Sequence, residues 1–240
     1  MVKTNKEIGQ ELVKKYPRVA LLVPTYKSVM SVFFQHFYTF VNHLSKCGFE
    51  HNLFFVDNTA VAKARNELVK HFLPANEMKE YDIVLWIDSD HTFGIGDFMR
   101  LLQDFDTHDE IEILSGRYIT RDNNAPRVCG FNYHTDKEKF EALAPNDYGV
   151  VECDGFGFGF CIMKPSVLQN MWNEYGGHQF AFSCVGPKEE GDQIGEDLTW
   201  CQNAQKLGYK LYFDHDVKIG HYGGIIDDGF LMYKWSEMNK

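Results

Sequence analysis

The stretch YDIVLWIDSD, residues 81–90, decides the fold. Ile83 to Ile87 is a continuous apolar run, shorter than a core helix, that breaks off at Asp88-Ser89-Asp90. A run without polar alternation leaves no face for water, so it predicts a strand covered on both sides, as strands of parallel sheets are. Val19 to Val23 upstream is a second such run, stopped at Pro24. Between the two, Met30, Phe33, Phe34, Phe37, Tyr38, Val41 and Leu44 recur at helical spacing and predict an amphipathic helix ended by Gly48. Asn52 to Val56 then predicts another strand. Asp57-Asn58-Thr59 offers capping residues for a helix that carries Val61, Ala64, Leu68 and Phe72 on one face and closes at Pro74.

Strands separated by helices at this spacing form right-handed βαβ units. The expected fold class is therefore α/β: a Rossmann-like single domain with a central, mostly parallel sheet flanked by helices. Ligands of such sheets lie beyond the carboxyl ends of the strands. Those ends carry Pro24-Thr25-Tyr26, Asp57-Asn58 and Asp88-Ser89-Asp90, which the topology brings to one edge. Further on, Ile111 to Ser115, Arg127 to Tyr133 and Val150 to Met163 read as strands and Glu196 to Leu207 as a helix. No linker, repeat or low-complexity tract interrupts the chain, so one domain is expected over residues 1–240. The aperiodic, Gly- and Ser-containing stretch 176–195 is expected to be a mobile loop.

Composition narrows the partners. Of 240 residues, 44% are hydrophobic and 24% charged, as in folded globular chains. The 24 Lys and Arg against 34 Asp and Glu leave a net charge of −10, which repels nucleic acid and anionic lipid. No apolar run approaches the roughly 18–20 residues that span a bilayer, and MVKTNKEIGQELVKKY lacks the apolar segment of a signal peptide. No membrane span and a cytoplasmic location are expected. The cysteines (Cys47, Cys129, Cys153, Cys161, Cys184, Cys201) show no zinc-site spacing and read as reduced thiols.

Each residue with chemistry to offer also has a plain structural reading. Asp88 and Asp90 at a strand end suit a divalent cation beside a diphosphate, or a turn with a helix cap. In GFGFGF, residues 155–160, strand alternation puts Phe156, Phe158 and Phe160 on one face and Gly155, Gly157 and Gly159 on the other. The bare face suits a sugar ring or a closely packed neighbour. Glu196-Asp197 opens a helix, where acidic side chains favour the dipole and where an ionised general base can also sit. Arg117 and Arg121 suit phosphate or sugar hydroxyls, or a solvated surface. Asp57 suits a nucleotide base or a cap, and Arg65 the donor or its own helix. His221, between a strand and Gly223-Gly224, suits a metal or a structural position.

The chain resembles the GT-A glycosyltransferases, and among them the family 2-like enzymes that use nucleotide-sugar donors. The resemblance rests on VALLVPTY (19–26), AKARNELV (62–69), YDIVLWIDSD (81–90), SGRYITRD (115–122), ECDGFGFGFCIMKPSVL (152–168) and GEDLTWCQNAQKLGYKLYFDHDVKIGHYGG (195–224), which follow the family's order from about residue 18 to about residue 224. It implies a metal-dependent transferase, with manganese or magnesium, that moves a sugar from a UDP- or GDP-linked donor to an acceptor hydroxyl with inversion. The acceptor would be a glycan, a protein or a small molecule. By resemblance Asp197 is the base and Glu196 its positioning partner. Asp88, Asp90 and His221 hold the metal, with Asp88 near the donor ribose or the metal. Pro24, Thr25, Tyr26, Asp57, Arg65, Asp88, Ser89, Gly157 and Arg121 meet the donor. Residues 18–110 would form the donor half, 111–224 the acceptor half and 225–240 a tail. Two other classes are set against this reading. LWIDSDHTF also matches the start of haloacid-dehalogenase phosphatases, with Asp88 as nucleophile, but no downstream acidic pair of the required spacing follows a strand. A non-catalytic sugar-binding module would not need Asp88, Asp90, Asp197 and His221 together.

Overall fold

The two apolar runs lie side by side at the centre of the protein. In a computed structural model that describes residues 4–26, 29–57, 59–121, 125–185, 192–222 and 225–226, β1 (Arg18–Pro24) is flanked in parallel by β2 (Glu50–Val56) and β3 (Ile83–Ile87). β4 (Ile113–Arg117), β5 (Val150–Cys153), β6 (Phe160–Met163) and β7 (Leu211–Lys218) complete a seven-stranded sheet of order β2-β1-β3-β6-β4-β7-β5. Five strands share one direction. β6, inserted between β3 and β4, and β5 at the edge run against them. The architecture is a mixed α/β single domain, Rossmann-like, as expected.

Because side chains alternate along a strand, β1 and β3 feed two cores. Ala20, Leu22, Val84 and Trp86 face α3 (Val61–Lys79), α5 (Pro165–Tyr175) and α6 (Glu196–Lys206) through Leu68, Phe72, Leu168 and Trp200. Val19, Leu21, Leu85 and Ile87 face α1 (Asn5–Lys15), α2 (Ser31–Cys47) and α4 (Ile95–Thr107) through Leu12, Phe40, Phe98 and Leu101. Fully burying each such side chain contributes roughly 1.5–3 kcal/mol, enough to override weaker local signals. α3 runs through Pro74 to Lys79 rather than closing there, because Phe72 and Leu73 before the proline and Ala75 after it pack into the core. This burial offsets the roughly 3 kcal/mol that an internal proline costs. No described helix is long and apolar enough to cross a membrane.

Several boundaries differ from the sequence reading. α1, which Thr4 and Glu7 close with a capping box, and α4 and α5 are additional helices. In α2, Phe33, Phe40 and Leu44 are buried while Phe34 and Tyr38 point to water, since one helix face cannot hold every aromatic of that segment. Arg127 to Tyr133 forms a strand only over Gly130–His134, paired with Lys139–Ala142. The expected strand Val150 to Met163 is three pieces: β5, the short Gly155–Phe156 and β6. The break at 157–159 turns Phe160 into the core opposite to Phe156 and Phe158, so the strict alternation fails. Residues 176–195 contain a 3-10 turn, Gly176–His178, and the antiparallel pair Ser183–Val185 and Asp192–Ile194, while 186–191 lie outside the described residues. Asn58, Gly223, Gly224 and 227–240 also lie outside them.

β7 slips register against β4 between Asp214 and Lys218. The fully buried Asp214 serves this irregularity, its Oδ1 accepting the N–H groups of Asp216 at 2.8 Å and Val217 at 3.4 Å. Burial, aided by the nearby Asp104 carboxyl, pushes Asp214 up to about 7. A carboxyl raised in the folded state contributes stability that is complete below about pH 4 and is lost as pH rises through about 7. Asp214→Asn keeps the accepting oxygen without the charge. It is expected to melt higher than the parent at pH 8, by on the order of 1–3 kcal/mol, and to lose that advantage at pH 4. Melting curves of both proteins across this range provide the check.

Candidate active site

At the carboxyl ends of β1 and β3 lies a cleft of about 290 Å³. Pro24, Thr25 and Tyr26 leave β1 as one wall, with Thr25 anchored through its N–H (2.8 Å) and hydroxyl (3.0 Å) to the Val56 carbonyl. Asp88, Ser89 and Asp90 leave β3 as the floor. The opening turns of α3 and α6 complete it with Val61, Arg65, Glu196 and Asp197, and Arg121 reaches in from the segment after β4. Ten of the residues picked from sequence therefore share one cavity. Thr59 and Val61 line it too and were not picked as site residues. Asp57 is exposed just beyond β2 and is not part of the wall.

Arg65 holds the floor together. Its side chain is 3% exposed. One guanidinium nitrogen donates to both oxygens of Asp88, at 3.0 and 3.1 Å, and another donates to Glu196 Oε1 at 2.6 Å. The guanidinium also sits 5.3 Å from the Phe158 ring centre and 5.8 Å from that of Phe180. Burial alone would lower its pKa, but Asp88 and Glu196 outweigh burial and raise it, so the cation is permanent. Arg65 thus acts as the tie between two carboxylates more than as a free donor contact. Asp88 accepts from that one nitrogen at both oxygens, so a cation meeting Asp88 would share it with the guanidinium.

Asp197 sits beside this pair with a different fate. Its Oδ1 accepts the N–H of Leu198 at 2.8 Å at the start of α6. Burial pushes its pKa up to about 6, with Glu196 pushing in the same direction and Arg65 opposing. Three of the four acids that line the cleft, Asp88, Glu196 and Asp197, are thereby split in role. Asp88 and Glu196 are held by hydrogen-bonded ion pairs, whereas Asp197 can exchange a proton near neutral pH.

The second cluster comes from a register that sequence cannot show. Gly220–Tyr222 pairs antiparallel with His91–Thr92, setting His221 opposite His91, and the Tyr222 N–H donates to the Asp90 carbonyl at 2.7 Å. The two imidazoles stack at 4.5 Å. His221 Nδ1 lies 2.6 Å from the Ile119 carbonyl, a bond that needs the proton on Nδ1, and its Nε2 lies 3.5 Å from Asp90 Oδ2. Asp90, His91 and His221 form the group able to hold a metal among the described residues. Burial opposes the ionised form of Asp90, but hydrogen bonds from His221 and His91 win and hold it well below the usual carboxylate range. Arg121 places its guanidinium 3.0 Å from the same Oδ2, so a positive charge already stands where a cation would bind. One carboxylate and imidazole nitrogens suit manganese or magnesium through oxygen, and also softer divalent ions through nitrogen. His91 was not picked from sequence, although it directly follows the DSD triplet.

The glycine face differs from expectation. A methyl group on Gly157 would collide with the Tyr118 hydroxyl, one on Gly159 with His91, and one on Gly155 with Leu198. These glycines admit close-packed side chains rather than a sugar ring, and Gly157 does not line the cleft. Tyr118, missed in the sequence reading, accepts the Gly159 N–H at 3.3 Å and stands edge-on to His91. Arg117 is buried at the end of β4, away from the cleft wall.

No family model matches the chain, and no match to it was found among curated proteins. Among solved structures it is similar to the crystal structure of A197 from STIV, with 20% sequence identity and a TM-score of 0.55 over 88% of this chain and 87% of that one. A second likeness, to the crystal structure of a glycosyltransferase involved in the glycosylation of the major capsid of PBCV-1, has 10% identity and a TM-score of 0.35 over 65% of this chain and 66% of that one. Of the two, the likeness to A197 shows a shared fold: this chain is an α/β domain of the same architecture.

Proposed function

We propose that this protein is a glycosyltransferase of GT-A type that transfers a sugar, with inversion, from a nucleotide-sugar donor to an acceptor hydroxyl. One observation carries the reading: a single cleft at the sheet edge is lined both by Asp90, whose Oδ2 lies 3.5 Å from His221 Nε2 behind it, and by a separate carboxyl, Asp197, whose pKa of about 6 suits a base. The division into a donor half over 18–110 and an acceptor half over 111–224, with 225–240 as a tail, follows from the same reading.

Asp90 and His221, with His91 adjacent, would hold manganese or magnesium. The cation's chemistry there is to neutralise charge that develops on the leaving diphosphate. Arg121 shares that task, because a cation on Asp90 leaves its exposed guanidinium available to phosphate oxygens. Pro24, Thr25, Tyr26 and Ser89 shape the donor side of the cleft. The ionised Asp197 accepts the acceptor's hydroxyl proton as the oxygen bonds to the anomeric carbon from the face opposite the diphosphate, whose bond to carbon breaks. Arg65 holds Asp88 and Glu196 in place around that event.

The phosphatase alternative would make Asp88 a nucleophile. Both of its oxygens accept hydrogen bonds from a buried guanidinium, which weakens it as an attacking group.

A panel of UDP- and GDP-sugars, with and without manganese, tests the proposal by thermal shift. A ligand at 100 times its dissociation constant stabilises by about 2.7 kcal/mol, or roughly 5–10 °C for a chain of this size. The shift is expected only when nucleotide sugar and manganese are both present, and it should vanish in Asp90→Ala. A full shift and full turnover in excess chelator would remove the cation from the mechanism.

A further inference from the structure

A groove of about 920 Å³ lies beside the cleft, which does not include it. It lies between the hairpin of Gly130–His134 with Lys139–Ala142 and the start of α6. The two cavities share a ridge. Thr120 lines the groove and its neighbour Arg121 the cleft, while Gly195 and Leu198 line the groove and the residues between them, Glu196 and Asp197, line the cleft. A molecule lying in the groove therefore ends against the backbone that carries Asp197.

The groove's lining is of mixed chemistry. Phe131, Phe140, Leu143 and Leu198 offer half-buried apolar surface, and Arg127, Glu138 and Lys139 stand exposed at its rim. Pyranose rings match such a lining, with apolar C–H faces that lie on aromatic rings and hydroxyl edges that bond to carboxylates and cations. A lipid chain would need apolar walls without a charged rim. The volume is at the upper end for small-molecule pockets, more than one sugar ring fills.

We propose that this groove is the acceptor site and that its ligand is an oligosaccharide whose terminal hydroxyl is presented to Asp197 across the Gly195–Leu198 ridge. The assignment rests on the glycosyltransferase reading for the role of acceptor, but the binding of glycan in the groove can be tested without it.

The probe is a set of defined di- to hexasaccharides and their constituent monosaccharides, with unmodified peptides as a second set, read by saturation-transfer NMR and titration on the whole protein. Oligosaccharides are expected to bind at least tenfold more tightly than the monosaccharides. Phe140→Ala should weaken them tenfold or more while leaving the nucleotide-sugar thermal shift unchanged. Ala144→Trp, at an exposed lining position, blocks the groove without touching the core and should do the same if Phe140→Ala impairs folding. Equal affinity for mono- and oligosaccharides, no binding by any oligosaccharide, or binding untouched by both variants overturns the proposal. Selective binding of the peptides, which could add to the edge strand Lys139–Ala142, overturns it in favour of a peptide acceptor. Oligosaccharide binding without any nucleotide-sugar shift would uphold the groove as a glycan site and sink the transferase reading instead.

Discussion

Asp197→Asn is expected to slow sugar transfer about 10²–10⁴-fold while the nucleotide-sugar thermal shift survives. Asn retains the size of the side chain and the oxygen that accepts the Leu198 N–H, so the start of α6 keeps its shape. It cannot take a proton from the acceptor. On the proposed reading, the parent protein's transfer rate should fall as pH drops through about 6, because burial has raised the Asp197 carboxyl to that value and protonation removes the base. In the variant this acid limb should disappear. Product anomeric configuration, read by NMR, completes the test: a single displacement gives inversion, and retention or a near-normal rate in Asp197→Asn would take the base role away from this residue.

The second large effect is on stability. Arg65→Met leaves Asp88 and Glu196 without the cation that both contact. Breaking a buried charge network from one side costs about 3–5 kcal/mol, so the melting temperature should drop by roughly 6–20 °C. Arg65→Lys should recover little, since an ammonium cannot offer a fork to Asp88 and a second donor to Glu196 at once. Adding Glu196→Gln to Arg65→Met removes one stranded charge and should regain part of the loss. If Arg65→Met melts within a degree or two of the parent, the site is wetter than its burial implies and the tie is ornamental.

Much of the candidate cleft was legible in the sequence because strand ends are sharp features of a sequence. Val19–Val23 and Ile83–Ile87 are apolar without alternation, so both had to lie inside the sheet, and the polar triplets after them had to emerge at its edge. Arg65, Asp88 and Glu196 each lay in a quoted motif, yet their pairing was not legible, since Glu196 is 131 residues from Arg65 and nothing local couples them. The glycines of GFGFGF were visible as a bare face, but which atoms would fill it depended on Tyr118 and His91, carried by other elements.

By itself the sequence determined the covered strands, their alternation with helices, and the residue types collected at their ends. These follow from local periodicity and from the handedness of βαβ units, which act over tens of residues. Only the tertiary structure decided how the acids divide their work. Arg65 binds Asp88 and Glu196 and leaves Asp197 to be raised toward neutrality by burial. Strand pairing sets His221 against His91 and within 3.5 Å of Asp90. Charge state and hydrogen-bond partnership depend on distance and desolvation through space, and neither quantity is written in the order of residues along the chain.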